Sequence, residues 1–181
     1  QIVPLMPAHR VYLEPFCGGC SITASVRAKN RIASDAHESQ ILMWKAAQNG
    51  TLNAPQCLSS EEYYKMRDDK NAPPSALRGF IGLACGYGGK FFGTFARDTK
   101  GNWDLNSSSE YLRRAKHSVH TKALSLYSVS FHHCDYIQWT DFIKSNSNRI
   151  IVYCDPPYEG TQSYIACAPF DSKVFWETMR E

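Results

Sequence analysis

Residues 150–158 read IIVYCDPPY, and an apolar run stopped by two prolines constrains the fold more than any other stretch. Ile150, Ile151, Val152 and Tyr153 are four β-formers without alternation, the pattern of a strand buried on both faces inside a parallel sheet. Pro156 and Pro157 cannot donate to a ladder and each restricts the residue before it, so the strand ends at Cys154 or Asp155. Asp155 and Tyr158 are thereby delivered on a stiff turn at the C-terminal edge of a central strand, where ligands bind in open α/β sheets. A plainer reading, a proline turn carrying a surface acid and an incidental tyrosine, stays open on this stretch alone.

The same arrangement recurs along the chain. In RVYLEPFCGGCSITASVRAKN, Val11, Tyr12 and Leu13 form a short strand that Pro15 ends. Gly18 and Gly19 then make a tight turn, and Ser21 caps a helix running to about Lys29. In RIASDAHESQILMWKAAQNG, Ile32 and Ala33 give a second strand ending at Asp35, followed by a helix carrying Ile41, Leu42 and Trp44 that Asn49 and Gly50 close. YSVSFHHCDY alternates like a half-buried strand ending at Asp135, and FDSKVFWETMRE opens a further helix. Glu14, Asp35, Asp135 and Asp155 thus each stand at a strand end, which points to a nucleoside-type ligand across the edge of a doubly wound sheet. Gly18 and Gly19 let the backbone approach such a ligand, although a helix entry can need glycine for its own geometry. Asp35 fits a ribose-hydroxyl acceptor and a helix cap equally well.

The 181 residues suit one domain with a real core, and a 43% hydrophobic content marks it as globular. No apolar run approaches the roughly 20 residues of a membrane helix, so the expectation is a soluble, cytoplasmic protein with no membrane partner. The net charge of +3 permits a polyanionic partner without demanding one. Seven unevenly spaced cysteines argue for a reducing compartment rather than a disulfide framework. Cys17 and Cys20 form a C-x-x-C with no second pair to complete a zinc site, so no metal is expected.

The middle of the chain differs in character. SSEEYYKMRDDKN is a helix with Ser60 near its cap, and NSSSEYLRRAKHSVHTKAL is an amphipathic, positively charged one. Between them PPSALRGFIGLACGYGGKFFGTFAR begins helical and becomes glycine-rich, aromatic and basic. A plain nucleoside-binding sheet needs one crossover helix there, so the extra length reads as a functional insertion. Its Tyr87, Gly89, Lys90, Phe91, Phe92 and Arg97 combine phosphate-neutralising charge, backbone access and aromatics able to fill the gap left by a flipped base. Phenylalanines that are simply core, with the cations a solvated face, are the alternative. The expected organisation is residues 1–50 and 125–181 as two parts of one sheet domain, with 51–124 as the inserted recognition region.

Asp155 and the prolines carry the sharpest chemistry. A carboxylate and the carbonyl of Pro156 offer two acceptors that match an exocyclic amino group, and Tyr158 can stack on the ring that bears it. Holding an aromatic amine between acceptors favours a pyramidal nitrogen with an available lone pair, which direct attack on a methyl sulfonium requires.

EPFCGGCS, SDAHESQI and VYCDPPYEGTQSY, in that order, resemble the motif set of the alpha-class, Dam-like DNA adenine N6-methyltransferases, and GFIGLACGYGGKFFGTFAR is similar to a stretch in phage and prophage members. The resemblance runs from about Pro7 to Trp176. It implies a Rossmann-like α/β methyltransferase sheet with a DNA-recognition insertion, S-adenosylmethionine as cofactor, S-adenosylhomocysteine as product and double-stranded DNA as substrate in a bacterial or phage-infected cell. By position it implies that Glu14, Pro15, Phe16, Cys17, Gly18, Gly19 and Asp35 hold the cofactor. It implies that Cys134, Asp135 and Tyr136 contact the cofactor adenine, and that Asp155, Pro156, Pro157 and Tyr158 are catalytic. Asp155 in this motif implies adenine; related enzymes acting on RNA or on protein glutamine usually carry asparagine there.

Two departures from the family pattern shape the expectation. Cys20 stands where the glycine motif often ends in glycine. A glycine-lysine segment that similar enzymes place before the first strand, and several strands after the catalytic motif, are missing from the 181 residues. The sequence therefore reads as incomplete at both ends, with a second chain or self-association completing the sheet. A non-catalytic DNA-binding or partner subunit retaining the fold is the rival reading.

Overall fold

A computed structural model describes residues 2–96, 108–157 and 170–180. The chain forms two compact units, Gln1–His37 with Ser128–Glu181, and Glu38–Tyr127. Among the described residues no helix is long and apolar enough to cross a membrane.

The first unit is built on a four-stranded sheet of order β3-β2-β1-β4, all parallel. Its strands are β1 (Val11–Glu14), β2 (Asn30–Asp35), β3 (Val129–His133) and β4 (Ile150–Val152). β1 lies between β2 and β4 and is buried at every position, as a strand covered on both faces must be. β3 alternates, with Val129 and Phe131 buried and Ser130 and His132 exposed, so one face of that strand meets water.

The register decides where the acids stand. Glu14 pairs with Ala33, Leu13 with Val152, and Asp35 with His133. Asp35 is thus two residues past the level of Glu14 on β2, Asp135 two past the end of β3, and Asp155 three past the end of β4. Parallel strands run out on the same side, so the four acids stand along one edge of the sheet, as the pattern of strand ends predicts.

Two local expectations need correction. β4 is not a central strand buried on both faces: among the described residues it pairs only with β1, and its three residues are half-buried. An apolar run records that a strand is covered, but not on how many flanks it is paired. The helix expected from Ser21 to Lys29 is also absent, and residues 21–25 form turns. Ala24 and Val26 donate to the carbonyls of Cys20 and Ile22, and the amide of Thr23, a first-turn donor that no helical carbonyl would satisfy, goes to the Glu14 carboxylate. The Ser25 amide returns to Ile22, three residues back, so these bonds close single turns and do not propagate past the costly nucleus of a helix.

The helices assigned from sequence are otherwise in place. α1 (Glu38–Gln48), α2 (Ser60–Asp68), α3 (Ala76–Ala84) and α4 (Ser108–Ser125) belong to the second unit. α5 (Thr140–Ser145) and α6 (Ser172–Arg180) belong to the first; α5, with the 3-10 turn Tyr136–Trp139 before it, has no counterpart in the sequence reading. α2 starts on a full capping box, Ser59 bonding the Glu62 amide while Glu62 returns to the Ser59 amide. α1 and α3 pack so closely at Gly79 that a Cβ there would lie 2.0 Å from the Ser39 carbonyl oxygen.

Gly79→Ala should therefore destabilise the protein by about 1–3 kcal/mol, the usual range for overpacking a tight core. Urea unfolding followed by circular dichroism is the check: a lowered midpoint is expected, and an unchanged one would show that the helices separate without strain.

Candidate active site

Glu14 ends β1 with its side chain in the protein interior, 3% exposed. Its Oε2 accepts three hydrogen bonds, from the Tyr12 hydroxyl at 2.7 Å, the Thr23 amide at 2.9 Å and the Thr23 hydroxyl. Its Oε1 has no partner among the described residues. Burial raises the Glu14 pKa above the usual carboxylate value, the negative charge of Asp155 adds to the rise, and the bonds from Thr23 and Tyr12 work against it. The structure thus brings Glu14 and Asp155 within electrostatic reach of each other.

Asp35 closes the glycine turn. Its Oδ2 accepts from the Gly18 amide and its Oδ1 from the His37 amide, both at 2.9 Å. Gly18 sits at φ 41° and Cys20 at φ 52°, in the left-handed region where glycine is at ease and cysteine is not. The turn is further stitched by the Cys17 amide bonding the Ser34 carbonyl and the Cys20 amide bonding that of Cys17. Burial lifts the Asp35 pKa, while the Gly18 and His37 amides and the nearby His133 hold it down. Each carboxylate oxygen has a second lone pair, so Asp35 can anchor the turn and still accept a hydroxyl.

The C-x-x-C is not poised for thiolate chemistry. Cys17 and Cys20 are buried, and the hydrogen bond between their sulfurs, together with burial, pushes the Cys17 thiol well up. Cys154, beside Asp155, is pushed up to about 11 by burial and by Glu14. The Cys17 and Cys154 thiols stay protonated near neutrality, which removes them as nucleophiles.

Phe16, after β1, stacks with Tyr136 at 5.4 Å between ring centroids and meets Phe170 and Phe175 at 5.8 Å each. Asp135 is exposed and bonds the Ile137 amide, which sets the 3-10 turn that presents Tyr136. Cys134 bonds the Asp35 carbonyl through its amide at 3.3 Å. The segments after β1, β2 and β3 are therefore tied together, with Pro15 buried at their root. Asp155 is exposed and Pro156 and Pro157 half-buried, after the Tyr153 amide makes a last ladder bond to Leu13. Tyr158 lies outside the described residues.

In the second unit, the segment assigned to DNA divides sharply. Phe91 and Phe92 are buried at 6% and 5% exposure, and Phe95 likewise. Phe92 packs on Tyr63 and lies under the Arg78 guanidinium, while Phe91 fills the space against Gly82. Tyr87 is 71% exposed, Lys90 is exposed, and Gly89 sits between them in a short 3-10 turn. The bond from the Tyr87 amide to the Thr94 carbonyl and the Gly86–Phe95 bridge close this turn into a hairpin-like tip. Arg97 lies outside the described residues.

Tyr12 and Thr23 are the functional candidates that sequence reasoning missed. Tyr12 stands two residues before Glu14 on one strand, hence on the same face, and that periodicity could have exposed it. No local pattern marks Thr23, which reaches Glu14 only because the chain turns back.

The sequence model of the D12 class N6 adenine-specific DNA methyltransferase family matches residues 1–178. A comparison with curated proteins gives no match.

A buried acid with a raised pKa makes a stability prediction. Below the ordinary carboxylate value Glu14 is protonated in both folded and unfolded chains; as pH rises through the folded value, stability is lost. Glu14→Gln cannot lose it. As pH rises above the ordinary carboxylate value, the urea midpoint of Glu14→Gln should climb relative to that of the parent. Parallel pH profiles would show that the carboxylate is not strained by its burial.

Proposed function

The chain belongs to the D12 class of N6 adenine-specific DNA methyltransferases, and from that premise we propose that methyl transfer takes place at the edge where Glu14, Asp35, Asp135 and Asp155 stand. The observation that carries this reading is the parallel register, which sets all four acids on one side of the sheet. S-adenosylmethionine, the methyl donor implied by the family, supplies when bound an electrophilic methyl group on a sulfonium, leaving S-adenosylhomocysteine. The donor set fits such a ligand. Oε1 of Glu14 is spare for an ammonium, the Gly18 turn permits close backbone approach, and Asp35 retains lone pairs for ribose hydroxyls. Phe16 and Tyr136 offer aromatic surface to an adenine.

Asp155 and the carbonyl of Pro156 then accept the two hydrogens of the target amine, keeping its lone pair available for attack. Because Asp155 is exposed, the proton released from the methylated amine passes to water. Pro156 and Pro157 hold both acceptors on a backbone with little freedom, which reduces the entropy lost in aligning the amine. Tyr158 supplies the stacking face for the base.

Tyr87 and Lys90 are the proposed DNA contacts of the second unit, with Gly89 allowing the tip to approach and Arg97 adding charge. The buried Phe91 and Phe92 hold that tip in shape. The enzyme acts on double-stranded DNA in the cytoplasm of a bacterial or phage-infected cell. Among the described residues the flank of β4 away from β1 pairs with no strand, and in this reading it is covered by a strand from a second chain or a second copy, since an open apolar strand edge is an aggregation hazard.

Digestion of DNA after incubation with the protein and S-adenosylmethionine, followed by mass analysis of the nucleosides, tests the reaction. N6-methyladenine should form, and Asp155→Ala should reduce its rate roughly 100-fold or more while DNA binding persists. Activity above about a tenth of the parent in Asp155→Ala would remove Asp155 from the chemistry. Lys90→Ala should lower the slope of log affinity for DNA against log salt by about one unit; an unchanged slope would take Lys90 off the phosphate backbone.

A further inference from the structure

We propose that Tyr12 and Thr23 are positioning residues for methyl transfer, fixing the buried Glu14 carboxylate by one oxygen so that the other, Oε1, receives the cofactor's ammonium. The inference rests on the cofactor site proposed above and adds two residues that need touch neither cofactor nor DNA. Tyr12 and Thr23 are both 0% exposed, so solvent competes for neither hydroxyl. All three donors, the Tyr12 hydroxyl and the amide and hydroxyl of Thr23, converge on Oε2. A carboxylate held through one oxygen alone is an asymmetric arrangement: the bonds on Oε2 fix the side chain's orientation and leave both lone pairs of Oε1 for a ligand.

The electrostatics agree with this division. Burial disfavours the charge on Glu14, and so does Asp155, whereas the bonds from Thr23 and Tyr12 favour it. Tyr12 is itself pushed far above the ordinary tyrosine range by burial and by Glu14, so it remains a donor at every working pH. The titratable groups that act on or feel Glu14 are Tyr12 on β1, Cys17 in the glycine turn, and Cys154 and Asp155 after β4. Tyr12 and the two thiols are neutral near neutral pH, which leaves Asp155 as the charge that opposes ionisation of Glu14.

The same two residues explain the local chain path. Thr23 lies nine positions after Glu14 and commits both its amide and its hydroxyl to Oε2. The turns over residues 21–25 return the chain to Glu14.

Calorimetric titration with S-adenosylmethionine across a pH series, using the full chain and the variants Tyr12→Phe, Thr23→Val and Thr23→Ser, tests the inference. Loss of one bond to a charged, buried acceptor should weaken cofactor binding about tenfold or more near neutral pH. Because those bonds favour the ionised acid, Tyr12→Phe and Thr23→Val should also move the acid limb of the affinity profile to higher pH, and Thr23→Ser should restore it. A loss equal at every pH, or no loss, would overturn the inference while leaving the cofactor site standing. A parent chain that binds no cofactor would overturn the site itself and the inference with it. If Thr23→Val fails to fold, Tyr12→Phe, which removes a single oxygen, decides alone.

Discussion

The parallel register of β1 between β2 and β4 is the constraint on which the rest depends. β1 is four residues long and fully buried, so its face and level are fixed by packing. A slip of one residue would turn Tyr12 and Glu14 to the other face of the sheet and expose a carboxylate to a hydrophobic layer. With the register fixed, Pro15 and the glycine turn must leave the strand at the level where β2 delivers Asp35, and the Gly18–Asp35 bond closes that gap. The site is thus a consequence of strand pairing before it is a consequence of any loop.

That geometry places acids where burial opposes their charge. Glu14 and Asp35 both have raised pKa values, chiefly from desolvation, and each is surrounded by donors that offset part of the cost. Such an arrangement weakens the empty protein and favours a cationic ligand, whose binding restores the missing positive charge. Perturbed acids of this kind gather at functional sites for that reason.

Most of the sheet was legible because strand and helix periodicities differ and because prolines and glycines mark the ends. Val11–Glu14, Asn30–Asp35 and the helix carrying Trp44 follow from those signals alone. What failed was non-local. In the turns after Ser21 the Thr23 amide reaches an acid nine residues earlier, and the edge position of β4 depends on which strands it meets. Phe91 and Phe92 look like Tyr87 in a linear string, yet the first two are core and the third is exposed; only the tertiary packing around Tyr63, Arg78 and Gly82 separates them. Tyr12 was visible in principle as the same-face neighbour of Glu14, but a tyrosine in a strand ordinarily means packing.

A crystal structure with S-adenosylhomocysteine bound tests the central claim most directly. The account predicts the amino group of the ligand against Glu14 Oε1, its ribose at Asp35 and its adenine beside Phe16 and Tyr136. Ligand lodged elsewhere, for example in the cavity of about 330 Å³ lined by Phe80, Lys116 and His120, with Oε1 untouched, would contradict it.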